Sequence, residues 1–181
     1  MTRLTYAIVT TAAVSLLGLA SIASFAPRLI WNASASTPVG FYTIGDVGAL
    51  DVTDLVAVDA PEPLATFLSD GGYLPRGVPL LKRVAALPGQ RVCRTGLAIT
   101  VDGVPIGDAL DRDRRGRPLP VWQGCRLVAA GELFLMNWQV RDSLDGRYFG
   151  PLPATAVIGR ATPLYTDEDG DGRFVWRAPT R

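Results

Sequence analysis

The chain has 181 residues and a formal net charge of +1, from 18 basic and 17 acidic side chains. This length suits one domain with a short additional segment, and the near-zero charge argues against nucleic acid as a partner. The sequence contains no histidine, so the commonest general base and the commonest metal ligand are absent. Hydrolytic chemistry would need a different base, and we expect no metal or other cofactor.

An uncharged segment lies close to the start of the chain. Residues 6–26 carry no charge and are flanked by Arg3 and Arg28. At about 1.5 Å per residue, a helix of this length spans the roughly 30 Å of a bilayer's hydrocarbon core. We expect residues 1–27 to form a cytoplasmic start and one N-terminal transmembrane helix. A cleaved secretion signal is the alternative, since residues 24–26 loosely resemble a small-x-small cleavage site.

The remainder, residues 28–181, is predicted to be one extracytoplasmic, mainly β domain. Short runs rich in β-branched and aromatic residues recur there between turn signals. These runs predict strands over residues 41–44, 54–58, 80–86, 91–93, 97–103, 125–128, 132–137, 157–166 and 173–177. One short helix is predicted over residues 64–70, because prolines precede this segment and glycines follow it.

Three connecting segments have patterns of their own. Residues 101–104, Val-Asp-Gly-Val, predict a tight hairpin turn. Residues 108–120 mix charge with glycine and proline and have no apolar periodicity, so we expect an exposed charged loop. Residues 167–172 copy the acidic spacing of a calcium loop, but Ala178 stands where such a loop has its glutamate. We expect an acidic turn between two strands there, with a calcium site as the alternative.

The chain has two cysteines, Cys93 and Cys125. They are too few and too far apart for a zinc site in a protein without histidine. In an oxidising compartment they would form a disulfide that closes a loop of about 33 residues and contributes roughly 3–4 kcal/mol to stability. Two buried thiols are the alternative.

Lys82 is the only lysine, and the other 17 basic residues are all arginine. Arginine does not readily release a proton, whereas lysine becomes a competent base once burial disfavours its charged form. Lys82 lies in an apolar, strand-like run between Leu81 and Val84, where burial would lower its pKa from about 10.4. The residues therefore point to a lysine base, with an edge-strand lysine that limits aggregation as the alternative.

Three segments resemble the sequence boxes of the signal peptidase (S26) family, membrane-bound proteases with a Ser/Lys dyad. Residues 82–92, KRVAALPGQRV, resemble the lysine box, and residues 141–151, RDSLDGRYFGP, resemble the late Ser-x-Asp-x-Arg box. Residues 32–42, NASASTPVGFY, resemble the nucleophile box of the conjugal-transfer (TraF-type) branch, in which one residue separates the serine from the proline. The chain departs from the family at Gln90, where Asp is frequent, and at Gly146, where Ser is frequent.

The resemblance implies a signal-peptidase-like β catalytic domain and assigns roles residue by residue. Ser36 matches the nucleophile and Lys82 matches the general base. Ser34 matches a hydroxyl that forms an oxyanion hole together with the backbone N–H of Ser36, and Ser143 matches the serine that orients the lysine amine. The residues alone leave Ser34 open as a polar linker residue and Ser143 as a turn serine.

Asp145 and Arg147 match an ion pair that supports the late box without taking part in catalysis. The resemblance implies a single-pass serine endopeptidase of a bacterial inner membrane, with its catalytic domain on the periplasmic side. Its expected partners are the bilayer, a pilin-like precursor, and conjugation or type IV secretion components. Water resolves the acyl-enzyme or, in some members, the pilin's own amino terminus does so and gives a cyclic product. A general signal peptidase and a non-enzymatic, membrane-tethered β module are the alternatives.

Overall fold

Two antiparallel β-sheets contain most of the regular secondary structure in this computed structural model, which describes residues 2–22 and 28–179. The strands, in chain order, are β1 (Leu29–Asn32), β2 (Val39–Gly45), β3 (Leu55–Val58), β4 (Leu80–Ala86), β5 (Arg91–Thr95), β6 (Ala98–Val101), β7 (Val104–Asp108), β8 (Gly124–Leu127), β9 (Glu132–Leu135), β10 (Leu152–Pro153), β11 (Val157–Asp167) and β12 (Val175–Trp176). The helices are α1 (Arg3–Ile22), α2 (Leu64–Asp70) and α3 (Gly146–Phe149). The predicted mainly β architecture is confirmed.

The larger sheet has eight strands in the order β1-β2-β11-β3-β4-β9-β10, with β12 paired to β11, and the smaller sheet has four in the order β7-β6-β5-β8. In the larger sheet β4 lies between β3 and β9, and every residue from Leu81 to Ala86 is buried. Leu81, Val84 and Ala86 belong to three different hydrophobic clusters. Because β4 is a central strand packed on both faces, a charged side chain on it has little access to water.

The helices, strands and turns predicted from sequence match several elements of the structure and omit others. The helix predicted over residues 64–70 is α2, and the hairpin turn joins β6 to β7 with positive φ at both Asp102 and Gly103, 50° and 82°. The prediction omitted β1, whose four residues form a strand by pairing with β2, from Leu29 with Thr43 to Asn32 with Gly40. It also omitted α3, which at four residues is too short to leave a helical period in the sequence.

The predicted apolar span forms a helix, α1, over the part of it that is described. The remainder of that prediction, residues 23–26, lies outside the described residues. No helix within residues 2–22 or 28–179 is both long enough and apolar enough to cross a membrane.

The segment predicted as an exposed loop, residues 108–120, contains no further helix or named strand after β7 ends at Asp108. It is nevertheless anchored at two points, because Ala109 and Leu119 are buried against Tyr148. Most of its charged side chains remain exposed. The loop therefore has a fixed base and a charged outer surface.

Cys93 in β5 and Cys125 in β8 are register partners across adjacent strands, and the structure joins them in a disulfide. The strand β8 is an edge of the smaller sheet and its four residues are all exposed. Burial therefore contributes little to holding β8 in place, and the covalent bond to β5 fastens it.

Replacing both cysteines with serine should lower the free energy of unfolding by about 3 kcal/mol, since the disulfide closes a loop between residues 32 positions apart in a chain that is otherwise unconstrained when unfolded. Denaturant titration of the variant beside the wild type measures this difference. Wild-type protein treated with reductant serves as the matched control and should unfold at the same denaturant concentration as the variant. Equal stability of the oxidised wild type and the variant would contradict the prediction.

Candidate active site

Ser36 lies in the turn that connects β1 to β2. The side chain of Asn32, the last residue of β1, holds this turn: its Nδ2 donates to the backbone oxygens of Ser34, Thr37 and Pro38 and to Thr37 Oγ1, at 2.8–3.1 Å. Asn32 and Thr37 are buried, whereas Ser36 is half-buried. One buried amide thus fixes the backbone on both sides of Ser36.

Gly40 and Tyr42 explain why this turn is followed by a strand in close contact with β11. A Cβ at Gly40 would lie 2.2 Å from Tyr165 O, so only glycine lets the two backbones approach this closely. Tyr42 is fully buried and its hydroxyl donates to Pro38 O at 2.7 Å. Burial raises the pKa of Tyr42 to about 12, so the phenol keeps its proton and remains a donor.

The hydroxyl of Ser36 is directed toward Ser34. The two Oγ atoms are 3.0 Å apart, and Ser34 Oγ donates its proton to Asn32 Oδ1 at 2.9 Å. Since a hydroxyl has one proton, Ser36 is the donor to Ser34 in this arrangement. No acceptor in the described part of the chain bonds the backbone N–H of Ser36, so this N–H is free to bind a substrate oxygen.

Lys82 is buried in the centre of β4, with 4% of its surface exposed. Its Nζ donates to Ser143 Oγ at 2.9 Å, and within the described residues it forms no ion pair. Burial lowers the pKa of Lys82 to about 8, while Asp145 opposes the shift and Arg147 adds to it. About a tenth of the amine is then neutral at pH 7. Because β4 is internal to the sheet, the alternative of an edge-strand lysine is wrong.

Ser143 is positioned by a loop, residues 136–145, that runs from β9 to α3 and wraps around the guanidinium of Arg147. Arg147 is 1% exposed and makes a two-pronged ion pair with Asp145 at 2.8 and 2.9 Å. Its remaining N–H groups donate to backbone carbonyl oxygens of Asn137, Val140, Arg141, Ser143 and Asp108. The ion pair predicted for these two residues is present, and it shapes the loop that presents Ser143 to Lys82.

The four predicted polar residues line one cavity of about 220 Å³, which we call the lysine cavity. Its polar lining includes Ser34, Ser36, Lys82 and Ser143, and its aliphatic lining consists of Ala35, Leu68, Leu74, Leu80, Val140 and Leu144. Within the described chain no hydrogen bond joins Ser36 to Lys82. Catalytic hydrogen bonds are often long before substrate binds, and Ser36 and Lys82 line the same cavity.

Ser36 also lines a second cavity, of about 290 Å³. Asn137 and the acidic residues Asp167, Glu168 and Asp169 lie on the wall of this second cavity. The acidic segment forms the turn between β11 and β12, as predicted, and Asp167 accepts backbone N–H groups of its own turn. Within the described residues no cluster of three or more acidic or cysteine side chains is arranged to hold a metal ion.

Comparison with known proteins identifies the family. The sequence model of the signal peptidase, peptidase S26, family matches residues 1–166. This chain belongs to the peptidase S26 family. A probable conjugal transfer protein TraF of Sinorhizobium fredii is 36% identical over 75% of this chain and 76% of its own length. The conjugal transfer protein TraF of Agrobacterium fabrum is 34% identical over 75% of this chain and 81% of its own length.

Among solved structures, a signal peptidase I from Enterococcus faecalis V583 is 19% identical, covers 64% of this chain and 98% of its own length, and has a TM-score of 0.39.

One departure of this S26 peptidase from the family's late box has a packing reason. Gly146 stands where Ser is frequent, and a Cβ at Gly146 would lie 2.6 Å from the Phe134 ring and 2.8 Å from Leu135 O. The first residue of α3 is therefore pressed against β9. A serine would not fit here without a shift of the strand or of the helix.

Asn137 is a site residue of this peptidase that the sequence did not reveal. Its Nδ2 donates to Ser36 O at 2.7 Å and Leu81 O at 3.1 Å, and its Oδ1 accepts the N–H of Arg83 at 3.1 Å. Its own N–H donates to Asp145. Asn137 thus joins the turn that contains Ser36, the residues on either side of Lys82, and the 136–145 loop. The sequence offered one signal, a polar residue that ends the apolar run of β9.

Replacing Asn137 with Asp should lower kcat/KM at least tenfold and move the acidic limb of the pH–rate profile upward from about pH 8. The carboxylate keeps the acceptor for Arg83 but loses both donors, and its negative charge raises the pKa of the neighbouring Lys82. Since the base must be neutral, a higher lysine pKa requires a higher pH. Profiles of kcat/KM against pH for the two proteins measure the shift.

Gln123→Glu is the matched control. The amide of Gln123 also bridges two backbone groups, the N–H and C=O of Gly96, but it is exposed and lines neither cavity that contains Ser36. The profile of kcat/KM against pH for Gln123→Glu should match that of the wild type. An Asn137→Asp profile that keeps its limb near pH 8 would show that Asn137 does not couple to the lysine.

Proposed function

We propose that this S26 peptidase is a membrane-anchored serine endopeptidase in which Ser36 is the nucleophile and Lys82 the general base, and that it processes a pilin-type precursor for conjugative transfer. The observation that carries the proposal is the buried amine of Lys82, bonded to Ser143 Oγ in the cavity that Ser36 also lines. In a chain without histidine, a buried amine with a lowered pKa is well suited to take up the Ser36 proton.

Acylation begins when neutral Lys82 Nζ takes the proton from Ser36 Oγ. The Ser36 oxygen attacks the scissile carbonyl carbon, and the carbonyl oxygen becomes an oxyanion. Lys82, now an ammonium group, returns its proton to the nitrogen of the leaving amine as the C–N bond breaks. An ester between Ser36 and the substrate remains. Ser143 stays bonded to the lysine amine and keeps it directed into the lysine cavity.

The oxyanion would be stabilised by the Ser36 N–H and the Ser34 hydroxyl. The N–H has no acceptor within the described chain, and the Ser34 hydroxyl lies 3.0 Å from Ser36 Oγ. In the free enzyme the Ser34 hydroxyl donates to Asn32. During the reaction this hydroxyl must reorient and donate to the oxyanion, while the Ser36 hydroxyl reorients toward Lys82. One preorganised donor of this kind contributes about 3–4 kcal/mol to transition-state stability.

The acyl-enzyme can be resolved by water or by an amine. In both cases Lys82 takes a proton from the incoming nucleophile and Ser36 leaves as the alcohol. Attack by water gives a linear product, and attack by the precursor's own amino terminus gives a cyclic one. Ser36 lines two cavities, so the acyl chain and the incoming group can occupy different ones.

The substrate class is inferred from the relatives. Two proteins about 35% identical to this chain carry names that place them in conjugal transfer. We therefore favour a dedicated precursor, a pilin-like protein that works with conjugation or type IV secretion components. A general signal peptidase would instead cleave many secretory precursors, and a non-enzymatic β module would not depend on Ser36 or Lys82.

The proposed location is the periplasmic face of a bacterial inner membrane. The apolar side chains of α1 whose exposure is known are largely uncovered: Leu4, Tyr6, Ile8, Val9, Val14 and Leu16. An exposed apolar helix needs an apolar environment, which a bilayer supplies. The disulfide between Cys93 and Cys125 fits an oxidising compartment.

An aromatic cluster supports a position of the nucleophile close to the bilayer. It consists of Trp31, Phe41, Tyr165, Phe174 and Trp176, with neighbouring ring centroids 4.7–6.3 Å apart. Trp31 and Trp176 are 48% and 64% exposed. Tryptophan and tyrosine favour the membrane–water interface, and Trp31 precedes Ser36 by only five residues.

Purified protein incubated with a pilin-type precursor should convert it to a defined product, and Ser36→Ala and Lys82→Met should each lower the rate at least 1,000-fold. Methionine fills the space of the lysine stem without supplying a base. Mass spectrometry reads the product, and a mass lower by one water than the linear product identifies cyclisation.

Ser69→Ala controls for loss of a hydroxyl elsewhere, since Ser69 lies in α2, its hydroxyl donates to Thr66 O and Asp70 Oδ1, and it lines neither cavity that contains Ser36. It should process the precursor at the wild-type rate. Unchanged processing by Lys82→Met would overturn the dyad. Efficient cleavage of unrelated secretory precursors would favour the general signal peptidase.

A further inference from the structure

A third cavity, of about 270 Å³, opens beside the lysine cavity. It lies between the 108–120 loop and the segment that follows α2, and we call it the arginine cavity because Arg114, Arg115 and Arg117 line it. The two cavities share four lining residues, namely Tyr73, Arg114, Asp142 and Leu144. A substrate chain that occupies the lysine cavity can therefore continue into the arginine cavity.

The base of the arginine cavity is held by Asp113. Its carboxylate accepts the Tyr73 hydroxyl at 2.6 Å, the Arg117 Nε at 2.7 Å, and the backbone N–H groups of Arg115 and Arg117 at 2.8 Å. Arg117 also donates to Gly71 O at 2.7 Å and lies over the Tyr73 ring. These contacts fasten the charged loop to the segment after α2, so the cavity has a defined shape.

The charged side chains that line the arginine cavity leave an excess of positive charge. Three arginines face two carboxylates, Asp113 and Asp142. Arg117 pairs with Asp113, and Arg114 pairs with Asp142. Within the described residues, Arg115 has no carboxylate partner. Its guanidinium lies near Gly72, where a Cβ would be 3.7 Å from Arg115 Nη1. The cavity thus carries one exposed positive charge that the protein itself does not neutralise.

We propose that the arginine cavity is a specificity subsite that binds an acidic side chain of the substrate through Arg115. This inference rests on the proposed peptidase function. A cavity of 220 Å³ is about 7–8 Å across, which an extended chain crosses in two or three residues. The acidic side chain therefore lies within about four residues of the scissile bond.

The expected energetic signature is electrostatic. A charge-assisted hydrogen bond at a partly exposed site should favour a glutamate substrate over its glutamine counterpart by about fivefold to tenfold in kcat/KM. A lysine at the same position should be disfavoured. Because salt screens exposed charges, the preference should shrink as ionic strength rises.

The test uses a set of peptides that span the processing site, with Glu, Gln or Lys placed in turn at each of the four positions on either side of the scissile bond. At one position the wild type should prefer Glu. Arg115→Gln should abolish that preference, and Arg115→Glu should reverse it in favour of Lys. Arg91→Gln is the matched control, since Arg91 is an exposed arginine on β5 that lines neither cavity, and it should keep the preference.

A binding measurement separates this inference from the peptidase proposal. Fluorescence anisotropy with the Ser36→Ala protein should give tighter binding of the Glu peptide, although this protein cannot cleave it. Equal cleavage and binding of Glu and Gln peptides at every position would overturn the subsite, as would a Glu preference that survives in Arg115→Gln. A Glu preference in binding without any cleavage by the wild type would support the subsite and contradict the proposed function.

Discussion

The buried ion pair between Asp145 and Arg147 is the interaction on which the site depends. A guanidinium that is 1% exposed must have all its N–H groups bonded, and the chain meets this need by wrapping the 136–145 loop around Arg147. That loop carries Ser143, the partner of Lys82. Burial is the largest effect on the pKa of Lys82 and lowers it; Asp145 raises this pKa and Arg147 lowers it.

The buried side-chain amides of Asn32 and Asn137 hold the turn that contains Ser36. Asn32 fixes the turn that contains Ser36 from within β1, and Asn137 ties the same turn to the backbone on either side of Lys82. The Ser36 carbonyl and the lysine strand are thus joined through one side chain. The Ser36 hydroxyl is bonded to Ser34 in this structure, and in the proposed mechanism it exchanges Ser34 for Lys82 before it reacts. The contacts of Asn32 and Asn137 hold the backbone, so the proposed change is confined to side-chain hydroxyls.

Sequence patterns predicted the elements whose cause is local. An apolar run between turn signals predicts β4, flanking prolines and glycines predict α2, and Lys82 is distinctive because all other basic residues are arginine. The roles of Ser36 and Lys82 came from resemblance to a family and stay predictions. Asn137 escaped notice because its function depends on three segments far apart in sequence, with Ser36 101 residues away. The cavity shared by Arg114 and Asp142 likewise arises from tertiary contact between two loops.

The central claim is that burial lowers the pKa of Lys82 far enough for part of its amine to be neutral near neutral pH. Because Lys82 is the only lysine, protein labelled with isotopic lysine gives a single side-chain NMR signal that can be followed through a pH titration. We expect the Lys82 amine to titrate with a pKa of about 8. A value at or above the ordinary lysine pKa of about 10.4 would contradict it, since the amine would then remain an ammonium group and could not take the proton from Ser36.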